Sequence, residues 1–216
     1  MNKRILTITA GAVLAAVALA GCSTGTQEPA KKPTVTKSAE AKATPTPSST
    51  PSSTKQAGKN LSFADGVNID EKTPPAWAIS VSDLKSKGWK LTKTDPSNGV
   101  SEYTKTDGTV VTVTQQFVTD LDQNMGDMAS TQRLFLAAGY DLATVQPINL
   151  ATYDGGIAQF LSVGGQDSST GEWSGTVSRA FSKPKAALTL KISADSQEKL
   201  FNDLKEFIPA AKVVVM

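Results

Sequence analysis

Val100-Ser101-Glu102-Tyr103-Thr104-Lys105-Thr106, then Asp107-Gly108, then Thr109-Val110-Val111-Thr112-Val113-Thr114-Gln115-Gln116-Phe117-Val118 is the stretch that decides the fold. Two β-branched runs flank an Asp-Gly pair, and both turn residues of a tight hairpin must accept positive φ, which this pair does. In the second run threonines alternate with valines. One face of the sheet is therefore expected on a core and the other in water.

Working outward from this hairpin, the chain predicts a helix over 126–138. Met125, Met128, Leu134, Phe135 and Ala138 form its apolar stripe, and Gly139 is its stop. Four strands follow at 145–153, 157–163, 173–181 and 186–193. Asp154-Gly155-Gly156, the loop 164–171 and Lys183-Pro184 join them. Asp195 with Glu198 reads as a capping box for a last helix, whose face Leu200, Phe201, Leu204, Phe207 and Ile208 packs on the core until Pro209 ends it. Residues 212–216 can add an edge strand. The expectation is an α+β domain over 61–216, an antiparallel sheet packed by two main helices.

The residues before that domain have a different character. Asn2-Lys3-Arg4 is a short positive head, and 5–19 is a mostly apolar run of about 15 residues, too short for an ordinary membrane span but right for a secretory signal. Leu19-Ala20-Gly21-Cys22 resembles the bacterial lipobox. A cysteine thiolate at that place accepts a diacylglyceryl group, and the lipoprotein signal peptidase cuts after Gly21. One acyl chain binds a bilayer marginally, at about 0.8 kcal/mol per buried CH₂, and a second chain on the new amine makes the anchor stable. Cys22 is the single cysteine. Lipidation removes the odd thiol that a secreted chain would otherwise carry. Residues 1–21 are thus read as a signal peptide and 22–60 as the lipidated N-terminus with a disordered tether, rich in Ser, Thr and Pro and unable to bury enough apolar surface to order itself. Over about 38 residues, its coil-like span is roughly 35 Å and its upper reach roughly 120 Å. It serves as a spacer or as a substrate for O-glycosylation. The sequon Asn60-Leu61-Ser62 is read as chance.

Composition excludes several chemistries. The formal charge is +2, with 22 basic and 20 acidic residues. Loss of Lys3 and Arg4 with the leader brings the mature chain to zero, so there is no electrostatic case for nucleic acid. Histidine is absent. The commonest general base and the commonest metal ligand go with it, and no cofactor or metal is expected.

The element order, together with Tyr153-Asp154-Gly155-Gly156-Ile157-Ala158 and Ala187-Leu188-Thr189-Leu190-Lys191-Ile192-Ser193-Ala194, resembles the PsbP-like fold over roughly residues 63–212. Mycobacterial lipoproteins of the LpqN type share that fold and a lipobox. The resemblance implies a non-enzymatic binding or assembly role and carries no catalytic motif.

Few residues offer chemistry. Asp120, Asp122 and Asp127 lack calcium-loop spacing and are read as acids favouring a helix N-terminus. Asp141, after Tyr140, and Asp154, before Gly155, suit loops and turns. Gly164-Gly165 with Gly171 lacks the lysine and helix of a phosphate loop. Trp77, Trp89 and Trp173 each sit beside a turn, where a ring either packs on the core or meets a ligand such as a sugar or peptide. The expected function is a lipoprotein on the outer face of the cell membrane that binds an envelope protein, glycan or lipid. The alternatives are a carboxylate-based hydrolase or transferase of cell-wall sugar or lipid, and a lipid carrier with an enclosed apolar cavity.

The lipobox makes a direct prediction. Cys22→Ser lacks the thiolate, so mass spectrometry of the variant should show no acylation and an uncut leader, and normal acylation would refute the lipobox.

Overall fold

The computed structural model of the chain describes residues 60–64 and 69–216. The signal peptide, the lipobox with Cys22 and the tether over 23–59 lie outside the described residues.

Among the described residues nine strands and three α-helices follow in chain order: β1 (Pro75–Ile79), α1 (Val81–Ser86), β2 (Trp89–Asp95), β3 (Val100–Lys105), β4 (Val110–Phe117), α2 (Asp127–Ala137), β5 (Gln146–Ala151), β6 (Ile157–Gln166), β7 (Trp173–Phe181), β8 (Ala186–Ala194), α3 (Gln197–Phe207) and β9 (Ala211–Val215). Seven strands form one antiparallel sheet in the order β2-β3-β4-β8-β7-β6-β5, and β1 pairs with β9 in a second.

This corrects the expected fold class. An α+β domain with two main helices packing the sheet, in the PsbP-like manner, is not what forms. The structure is mostly β, with 44% of the described residues in strands and 22% helical. The excess comes from two strands whose sequences conceal them. β2 lies at the sheet edge and is exposed along most of its length, so its Lys and Thr residues show no alternation. β1 begins at Pro75, and the Pro74-Pro75 pair reads as a turn. α2 and α3 span only 11 residues each.

The decisive hairpin forms, with β3 and β4 paired from Val100↔Thr114 to Thr104↔Val110. Its turn differs in detail. Lys105 N–H donates to Thr109 O at 2.9 Å, Gly108 N–H donates to Lys105 O at 3.0 Å, and only Gly108 has positive φ. A three-residue loop with a left-handed glycine replaces the two-residue turn. Val111 and Val113 enter the core opposite Ile192 and Leu190 of β8, whereas Thr112 and Thr114 lie on the wetter face.

α3 covers the core face. Its cap is Ser196, whose side chain accepts the Lys199 amide at 3.3 Å, one residue after the expected Asp195. Leu200 and Phe207 are fully buried, Leu204 is half-buried against them and Phe201 is exposed; the other buried side chain on this face is Asp203. Gly175 of β7 lies beneath, where an added Cβ would meet Leu204 Cδ1 at 3.5 Å and Leu200 Cδ1 at 3.7 Å. Trp77 of β1 stacks on Phe160 of β6 at 5.3 Å, which places the small sheet on the same core.

Gly99, in the β2–β3 turn at φ +63°, accepts the Gln115 amide at 2.8 Å, and an added Cβ would lie 1.7 Å from Gln115 O. Gly108 has the same left-handed backbone and open space around it. Gly99→Ala should therefore cost about 2–4 kcal/mol and Gly108→Ala about 1 kcal/mol, read as shifts of the urea midpoint. Equal shifts would show that the Gln115 contact is not what demands glycine.

Candidate functional site

The three tryptophans do not converge. Trp77 on β1 and Trp89 on β2 are buried, and Trp173 on β7 packs half-buried against the core. Trp89 meets Phe207 edge-on at 5.3 Å, and its Nε1 donates to Glu206 Oε2 at 3.4 Å. Trp77 Nε1 has no hydrogen-bond partner among the described residues.

Beside Trp89 is a charged cluster that ties α3 to the hairpin. Lys105 Nζ lies 2.6 Å from Asp203 Oδ1, 2.8 Å from Glu206 Oε2 and 5.7 Å from the Trp89 ring centre. Thr109 Oγ1 donates to Asp203 Oδ2 at 2.7 Å. Burial works against the Lys105 ammonium, but hydrogen bonds from Lys105 to Asp203 and Glu206 outweigh it and raise its pKa. The Lys105 hydrogen bond lowers that of Glu206. Both oxygens of Asp203 are engaged within the protein, so the cluster is a fastening rather than an open reactive pair.

Just beyond it an open polar groove of about 360 Å³ is lined by Asp107, Thr170, Glu172, Asp195 and Lys199, among others. Lys199 Nζ lies 3.6 Å from both Asp107 Oδ1 and Asp195 Oδ1. Partial burial pushes the Asp107 carboxyl up, and the Thr109 hydrogen bonds with the nearby Lys199 and Lys105 charges more than reverse this, leaving it lowered.

The predicted α2 forms, but its buried face is polar. Asp127, Ser130 and Thr131 are buried with Phe135, while Met125, Met128 and Leu134 are only half-buried and Ala138 is exposed. Asp127 meets Arg179 of β7, which is 0% exposed, through Oδ2 and Nη2 at 2.8 Å. Asp127 Oδ1 accepts the Ser182 amide at 2.9 Å, and Thr131 Oγ1 accepts the Ala180 amide at 2.9 Å. Arg179 Nη1 donates to Leu61 O and Gln159 O, both at 2.7 Å. Asp120 and Asp122 are exposed instead. Tyr140 OH lies 3.2 Å from Thr176 Oγ1, and Asp141 caps a 3₁₀ turn by accepting the Ala143 amide.

Sequence reasoning missed the most exposed aromatic ring. Phe117, the last residue of β4, is 78% exposed. It lines an open groove of about 580 Å³ with Glu71, Lys72, Thr119, Gln123, Lys183, Pro184 and Lys185. By alternation Phe117 follows Val111, Val113 and Gln115 onto the core face, but the strand runs past the end of the core. Hydrogen bonds tie the floor together: Val118 N–H donates to Lys185 O at 2.7 Å, Lys185 Nζ to Thr119 O at 3.1 Å and Gln123 Nε2 to Lys183 O at 2.5 Å. Lys185 itself has φ +52°, the one non-glycine left-handed residue among those described.

Among the described residues no group of three or more Cys, Asp or Glu is placed to hold a metal ion, and no helix is long and apolar enough to cross a membrane. No protein-family model matches the sequence, and no curated protein matches it at a significant level. Neither comparison identifies a PsbP-like domain or an LpqN-type lipoprotein.

Lys105→Met leaves buried Asp203 without its cation. It should lower stability by about 2–4 kcal/mol, less than a fully buried pair because Lys105 keeps 16% side-chain exposure. Glu206 titrates below its ordinary 4.5. Its contribution is therefore present above that value and is lost as pH falls through the lower, folded one. The urea midpoint of the parent should fall more steeply on acidification below about pH 4.5 than that of Lys105→Met; parallel curves would show that Glu206 is uncoupled from Lys105.

Proposed function

We propose that this protein is a lipid-anchored module on the extracytoplasmic face of the cell membrane that binds or assembles an envelope component without catalysing a reaction on it. The anchor rests on Leu19, Ala20, Gly21 and Cys22. The binding role is carried by one observation, the exposed Phe117 in an open groove with a hydrogen-bonded floor. A bare aromatic ring beside Pro184 on a hydrogen-bonded floor is costly to leave in water and well suited to a partner.

The other two readings lack comparable support. A carboxylate-based hydrolase needs one acid held protonated near neutral pH. The displaced carboxylates among the described residues, Asp70, Asp95, Asp107, Asp167 and Glu206, are all lowered, the direction of a structural acceptor. A lipid carrier needs an enclosed apolar cavity, whereas the Phe117 groove and the polar groove are both open.

A photoreactive phenylalanine analogue at position 117 tests the reading in living cells, with the same analogue at exposed Lys191 on the polar sheet face as control. A discrete adduct at 117 and none at 191 is expected. Equal labelling, or no adduct at 117, would remove the groove as a binding site.

A further inference from the structure

Antiparallel register gives the sheet two unlike ends. At one end β4 finishes at Phe117 opposite Ala186, the β7–β8 turn brings Lys183, Pro184 and Lys185, and the β5–β6 turn presents Tyr153 at 71% and Ile157 at 51% exposure. Lys72 and Glu71 line the same groove. The chain enters the domain at this end too. Leu61 N–H donates to Ile157 O at 2.8 Å, and Asn60 Oδ1 accepts the Ile157 amide at 2.9 Å. At the opposite end Asp107, Glu172 and Asp195 surround the polar groove with Lys199.

We propose that the Phe117 end rests on the surface of the bilayer that holds the Cys22 acyl chains, with Phe117 entering the headgroup layer and Lys72, Lys183 and Lys185 facing anionic phospholipid headgroups. This rests on the lipid-anchored binding reading above and names the ligand of that same groove. Three observations favour it. Aromatic rings flanked by lysines suit the boundary between headgroups and acyl chains. The groove carries three ammonium groups against one carboxylate, while the far end carries three carboxylates against one ammonium. The chain enters the domain at the Phe117 end, 38 residues after Cys22 in the sequence, so the acyl anchor keeps that end near the bilayer at an effective concentration on the order of millimolar. A contact too weak to recruit a free protein is populated under those conditions. Asp120 and Asp122, exposed just after Thr119, temper the positive charge, so the contact needs the ring as well as the lysines.

The test uses the full lipidated chain reconstituted in vesicles. Cys22 is its single native cysteine and is acylated, so Thr119→Cys or Thr170→Cys supplies a unique thiol for a fluorophore at the groove or at the far end. Nitroxide lipids labelled in the headgroup region report proximity. In phosphatidylglycerol-containing vesicles, quenching at 119 should exceed that at 170 several-fold. It should fall toward the level at 170 in phosphatidylcholine alone, in Phe117→Ser and in the pair Lys72→Gln with Lys183→Gln. These side chains are exposed, so an unchanged urea midpoint confirms that the variants fold. Equal quenching at 119 and 170 would overturn the proposal, as would quenching at 119 indifferent to Phe117→Ser or to headgroup charge. If it fails while a discrete protein or glycan adduct forms at position 117, the bilayer contact is lost and the binding module stands; if no adduct forms either, both fall.

Discussion

The Arg179 guanidinium holds closed a gap that the sheet cannot close with its own backbone. Pairing between β6 and β7 runs from Gln166↔Trp173 to Leu161↔Ser178 and stops there. Beyond that point Ala180 and Ser182 turn their amides toward Thr131 and Asp127 of α2, while β6 takes a bridge from Leu61 instead. Arg179 spans the two sides, with Nη1 on Leu61 O and Gln159 O and Nη2 on Asp127. Its guanidinium carbon lies over the Phe63 and Phe181 rings, 4.5 and 5.1 Å from their centres. Removing such a group from water costs several kcal/mol. That cost lowers the pKa of Arg179, with Asp127 opposing the shift. Only a planar fork of five donors reaches two carbonyls and a carboxylate at once, and lysine does not.

That constraint reaches function through position. By holding the Leu61 carbonyl, Arg179 fixes the place where the N-terminal segment meets the sheet, three residues before Ser182 and the lysine-bearing turn. The same ion pair holds the start of α2, and with the Val118 amide on Lys185 O the loop from Phe117 to Asp127 is pinned at both ends. One buried charge thus holds two segments that flank the groove, the start of α2 and the entry of the chain at Leu61. The opposite end is organised separately by Lys105, Asp203 and Glu206.

What the sequence disclosed follows from how local each signal is. The 100–118 hairpin, the strands at Ile157, Trp173 and Ala186, the C-terminal helix and the tail strand all carry their own alternation, turn residues or caps, and all form near the expected places. β1 and β2 carry none: β2 is an edge strand exposed along most of its length and has no alternation to show, and β1 is hidden by the Pro74-Pro75 pair that reads as a turn. α2 was legible as a helix but not by its face, since burial there is decided by hydrogen bonds to β7 rather than by hydropathy. A lone Arg179 between Val177 and Phe181, at an inward position of a core strand, was the available sign of a buried ion pair. Phe117 gave none: its alternation is perfect, and only the end of the core, set by the whole sheet, leaves it bare.

Arg179 joins both sides of the gap, and native-state hydrogen exchange of Arg179→Met tests this directly. The amides of Leu61, Gln159, Ala180 and Ser182 should together exchange at least about tenfold faster than in the parent, while Val111 and Leu190 in the β4–β8 core keep their protection. Unchanged exchange at the four amides, or faster exchange at Ala180 and Ser182 with Leu61 and Gln159 unaffected, would contradict a single charge holding the two sides together.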